Sequence, residues 1–135
     1  MIEFKLLPRS VTLEASIPLK SEAPEAVVAE YESRYSGKLV LWKDIQLGMC
    51  GCVHNNRSVV ANIDAAAFVT VYEMKPAKSS GWVGMGLRTK NGEELVTLFD
   101  SRYSQLSINW LQRTQPKVAE FLQLDTSFVD LGCDT

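Results

Sequence analysis

Residues Cys50-Gly51-Cys52-Val53-His54 hold two of the three cysteines and the single histidine of the chain. In an extended strand side chains alternate, so these three would share one face. Such a face could hold a soft metal, or pair a thiol nucleophile with an imidazole base. A structural zinc site, however, wraps four ligands around the ion, usually from CxxC-type spacing. A CxC on a strand spreads its sulfurs along the strand instead. A cysteine nucleophile needs, beyond His54, an orienting group and an oxyanion site, and neither is evident. Asn55-Asn56 suits a two-residue hairpin turn, because asparagine tolerates positive φ. In that register His54 faces Arg57, Cys52 faces Val59 and Cys50 faces Ala61. Arg57 would repel a cation, and the remaining face is apolar. The expectation is therefore that Cys50 and Cys52 are reduced, buried and metal-free. No cofactor is expected.

Other chemistry is sparse. Asp44, Asp64, Glu73 and Asp100 fall near strand ends, with no spacing that implies acid–base work. Gly81-Trp82-Val83-Gly84-Met85-Gly86 is glycine-rich, but it leads into a hairpin strand rather than a helix N-terminus, so it does not cradle phosphate. Its glycines suit a strand bend or a place beneath an aromatic ring. Lys75, Lys78, Arg88 and Lys90 form a small basic run, which reads as a solvated edge.

The elements that must position these residues follow from periodicity. Residues 2–7 and 11–17 alternate as strands around a turn at Leu7-Pro8-Arg9-Ser10. A helix is expected from Ser21 to Gly37, capped at each end by those residues. Strands follow at 38–43, 46–54, 57–63 and 66–74. Asn91-Gly92 should join 82–90 to 93–100, placing Lys90 opposite Glu93 and Phe99 over Gly84. Residues 103–113 fit either period and lean to strand, because Ser107 and Asn109 are poor helix formers. Pro116 then opens a final helix with Thr114 as its cap. The tail, 125–135, carries Asp125, Asp130 and Asp134.

This order predicts one α+β domain over residues 1–135. It would be a curved, mainly antiparallel sheet of about seven to nine strands, with a helix from the N-terminal half and a C-terminal helix packed on one face.

The chain has 135 residues, is 46% hydrophobic and 22% charged, and carries a net charge of −2. That suits a globular core without disulfides. An acidic balance, without charge asymmetry, makes nucleic acid an unexpected partner. No apolar run approaches a membrane span, the first residues lack a signal-peptide pattern, and odd, few cysteines fit a cytoplasmic protein.

The leading functional expectation is a non-enzymatic binding protein. It would take a small apolar ligand or a protein partner through a pocket or aromatic surface between sheet and helices. Trp42, Phe68, Tyr72, Trp82, Phe99, Trp110 and Arg88 are its candidate residues. One alternative is a small enzyme using Asp or Glu acid–base chemistry in that pocket. Another is a regulatory or toxin-neutralising interaction protein acting through the acidic tail. An unprotected sheet edge also leaves room for a homodimer.

Overall fold

The computed structural model describes residues 4–8, 39–44, 47–54, 57–78 and 80–133, with the backbone alone at 4–8, 39, 54 and 57. The expected strand at 11–17 and the helix at 21–37 lie outside these residues. The class is α+β, as expected, but the described strands form two four-stranded sheets rather than one curved sheet. The chain divides into two compact units, Met1–Asp64 and Ala65–Thr135. Each is described by itself.

In the first unit the strands are β1 (Phe4–Pro8), β2 (Leu39–Asp44), β3 (Met49–His54) and β4 (Arg57–Asn62), in that spatial order. Leu7 and Pro8 belong to β1 rather than to a turn. β1 runs parallel to β2, with Leu6 opposite Leu41. β2, β3 and β4 form an antiparallel meander. Val40, Leu41 and Trp42 are consecutive and all buried. A strand buried on both faces reads as an unbroken apolar run, which is how 38–43 reads.

In the second unit the order is β7, β6, β5, β8, from β5 (Phe68–Lys75), β6 (Trp82–Arg88), β7 (Glu94–Arg102) and β8 (Asp125–Cys133). Helix α1 (Gln105–Leu122) lies between β7 and β8 in the chain. β5, β6 and β7 are an antiparallel meander, and β8 runs parallel to β5. The two units thus share a plan: a three-strand meander with one extra strand parallel to its first strand. The extra strand precedes the meander in one unit and follows it in the other. The join between β7 and β8 is long enough for parallel pairing because it contains a helix.

The expected strand at 103–113 is helix. Ser104 caps it, its Oγ accepting from the Ser107 amide at 3.0 Å, so Ser107 is served by the cap rather than disfavouring the helix. Ile108, Leu111, Val118, Ala119 and Leu122 are buried at helical spacing. Leu106, which completed the strand-like alternation, is 76% exposed. Thr114 and Pro116 sit inside this helix rather than at its start. The helix ends at Gln123 in the left-handed region (φ 58°), where the Leu124 amide reaches Ala119 O at 2.9 Å.

α1 is tied to the sheet by Gln115. Its Nε2 donates to Val69 O on β5 at 2.8 Å and to Ser127 O on β8 at 2.7 Å. One side chain therefore holds the helix, the meander and the parallel strand together. Gln115→Ala is expected to cost about 1–3 kcal/mol, read as a fall in the urea midpoint without a change in slope.

The β6–β7 hairpin corrects a register. Gly92 has φ 82°, while Asn91 is not in the positive-φ region. A type I′ turn needs both residues there, so the two-residue turn does not form. The Thr89 amide donates instead to Glu93 O at 2.8 Å, and Arg88 rather than Lys90 heads the ladder, opposite Glu94. Further along, Gly86 faces Thr97 but Met85 faces Phe99, so Leu98 is an extra residue. Such a bulge turns the following side chain to the other face. Phe99 is moved from Gly84 to the helix side, where its ring meets Trp110 edge-on at 5.4 Å.

Candidate functional site

The β3–β4 register is as expected: His54 opposite Arg57, Cys52 opposite Val59 and Cys50 opposite Ala61. Cys50 and Cys52 are free and buried, and Cys133 is free and exposed. Across β2, Cys52 faces Leu41 and Cys50 faces Lys43. Burial pushes the Cys50 thiol up from 9.0 to about 12, because a thiolate there would lose its hydration. A thiol held protonated at neutral pH is a weak nucleophile and a weak metal ligand. Among the described residues no three of His, Cys, Asp and Glu are placed to hold a metal.

Two outcomes follow. Native protein is expected to show one thiol accessible to a charged disulfide reagent, Cys133, and three after unfolding. The second concerns pH. A thiol whose folded value lies above its unfolded value stabilises the fold fully below pH 9.0. That contribution is lost as pH rises towards about 12, so alkaline denaturation should begin within this window. Cys50→Ala should flatten the decline.

The aromatic candidates separate by position. Trp42, Tyr72 and Phe99 are buried, Phe68 and Trp110 are half-buried, and Trp82 is 40% exposed. Each unit uses one buried ring in the same way. Trp42 pairs across the ladder with Gly51, and Tyr72 with Gly84. A Cβ on Gly51 would come within 2.7 Å of Trp42 Cζ2, and one on Gly84 within 2.7 Å of Tyr72 Cζ. The rings lie where glycine leaves room, so the glycines do sit beneath aromatics. The ring over Gly84 comes from β5 rather than from Phe99.

Tyr72 continues across β6 towards β7. Its hydroxyl donates to Thr97 Oγ1 at 3.1 Å, and Thr97 donates to Glu94 Oε1 at 2.7 Å. Its ring meets Trp82 edge-on at 5.1 Å. Arg88 follows on the same face of β6 and is half-buried; its Nη1 donates to Gly92 O at 3.3 Å, which braces the hairpin. Its Nε, like Trp42 Nε1, is buried without a hydrogen-bond partner. These features hold the sheet together. They bring Tyr72, Trp82 and Arg88 to one face of it, and place Phe99 and Trp110 on the other.

The feature absent from the sequence-based expectations is β8. Residues Asp125–Cys133 of the acidic tail form a nine-residue strand, which among the described residues is the edge of the second sheet, bonded on one side to β5. Most of it is exposed, including Phe128 at 48% and Leu131 at 37%. Its β-branched and aromatic residues Thr126, Phe128 and Val129 are the signal that could have revealed it. A bulge near Gly132 (φ 79°) ends its regular pairing.

No protein family matches the chain, and no curated protein or solved structure matches it either.

Proposed function

We propose that the chain is a non-catalytic binding protein that takes a protein partner along the β8 edge. The observation that carries this reading is an exposed edge strand bearing Phe128 and Leu131 in place of a solvated tail. Soluble sheets ordinarily blunt such edges with lysine, proline or a covering element. β8 has no lysine or proline, and its bulge lies only at its far end. An open edge of this kind suits strand addition, in which backbone hydrogen bonds supply affinity and alternate side chains supply selectivity.

Support for a non-catalytic role also comes from the first unit. The thiols of the first unit are buried, and Asp44 is buried and accepts from the Leu47 amide at 3.1 Å. No helix among the described residues is long and apolar enough to cross a membrane.

The test places a photo-crosslinking residue at Thr126, in extract of cells that express the chain natively. A protein adduct of defined mass is expected, and it should vanish in Phe128→Pro, which removes an outward amide but no ladder bond. A Thr126 variant that stays uncrosslinked contradicts the reading.

A further inference from the structure

We propose that the occupant of the β8 edge is an extended protein segment carrying lysine or arginine, and that Asp130, with Glu73 behind it on β5, receives its charge. This rests on the binding reading above and specifies the partner.

The backbone sets the geometry. The Asp125 amide donates to Ala67 O of the neighbouring chain segment at 3.2 Å. Alternate residues of a strand point their amides the same way, so Ser127 and Val129 turn towards β5. Thr126, Phe128 and Asp130 turn away from it. Their outward amides and carbonyls can be met by water or by a further strand.

The side chains set the chemistry. Between Asp125 and Cys133 there are two carboxylates and no basic residue. The register places Asp130 directly opposite Glu73 on β5. Like charges in that position destabilise a ladder. Lys75 reaches Glu73 at 3.8 Å, and Asp130 Oδ1 accepts from the Gly132 amide at 2.8 Å. Glu73 already has a cation beside it, whereas Asp130 has none on its own strand, so a cation delivered by an added strand would meet Asp130 first and offset the repulsion from there. Phe128 precedes Asp130 by two residues and so shares its face. The matching segment therefore carries an apolar residue and a basic one two positions apart. A second copy of β8 would bring two more carboxylates and no cation, which makes it the poorer occupant.

The probes are two short blocked peptides, titrated calorimetrically into the full chain. In one, valine and lysine alternate on one face and threonine fills the other; in the second, glutamate replaces lysine. The lysine peptide is expected to bind about tenfold more tightly than the glutamate peptide at low salt. Asp130→Asn keeps an acceptor for Gly132, so it should fold normally while weakening the lysine peptide about threefold. Equal binding of the two peptides, or unchanged binding by Asp130→Asn, overturns the proposal. So does a concentration-dependent dimer by light scattering that the lysine peptide does not dissociate, since the edge would then belong to a second copy. Failure of both peptides, in a chain that still forms the Thr126 adduct, removes the cationic segment and leaves the binding reading intact. Loss of that adduct removes the reading itself.

Discussion

Gly84→Ala is expected to destabilise the protein by about 3 kcal/mol, although alanine normally exceeds glycine in a strand by roughly 0.5–1 kcal/mol. The sign is decided by one contact. A Cβ on Gly84 falls inside the space of the Tyr72 ring, and that ring is held between the Trp82 edge and the Thr97 hydroxyl. It cannot swing aside without losing both. Urea denaturation measures the effect, and a double-mutant cycle assigns it. Tyr72→Ala alone is expected to cost about 3–5 kcal/mol as a buried aromatic truncation. With the ring gone, Gly84→Ala should cost almost nothing, giving a coupling of about 2–3 kcal/mol. Additive effects would mean that the ring does not occupy the glycine's space. Gly51 offers a contrast. A Cβ there meets the Val59 carbonyl oxygen as well as the Trp42 ring. Backbone cannot be removed by mutation, so truncating Trp42 should leave most of the Gly51→Ala cost in place.

Leu111→Ala is the second large effect, about 2–5 kcal/mol. Leu111 is fully buried on the inner face of α1, between Ile108 and Val118 in the helical succession. Leu106→Ala, at an exposed position of the same helix, should change stability by less than about 0.5 kcal/mol. A strand at 103–113 would reverse this ranking, because Leu106 would then share the buried face with Ile108 and Trp110. The pair therefore tests the element as well as the packing. Both variants can be ranked by thermal melting in one buffer.

Much of the local structure is legible in the sequence. The Cys50–His54 strand and its partner are legible because the alternation and the Asn55-Asn56 sequence signal specify one register. The strands of the β5–β7 meander are legible from the same alternation, whereas the turn and register of the β6–β7 hairpin are not. What escaped is non-local. The division into two sheets depends on β1 lying beside β2 and β8 beside β5, both parallel. Parallel pairing is set by a crossover and leaves no turn signature in the sequence. The Leu98 bulge escaped because one extra residue is invisible to a period-2 reading, yet it moved Phe99 to the opposite face. At 103–113 two periods competed, and the Ser104 cap and the burial of Leu111 decided for helix. The candidate site was legible only in part. Aromatic type selects core and surface alike, and Trp42, Tyr72 and Phe99 are core. The acidic tail stands out in the sequence by its charge, and its strand character is hidden because Asp125 and Asp130 interrupt the apolar pattern.

The central claim is that β8 is an open edge awaiting a strand, and amide hydrogen exchange followed by NMR addresses it residue by residue. In the free protein the amides of Ser127 and Val129 should be protected by β5, while those of Thr126 and Phe128 exchange nearly as fast as solvated backbone. Adding the lysine-bearing peptide should slow Thr126 and Phe128 by about tenfold or more and leave α1 unchanged. Protection of Thr126 and Phe128 already in the free monomer, or their continued fast exchange at saturating peptide, would contradict it.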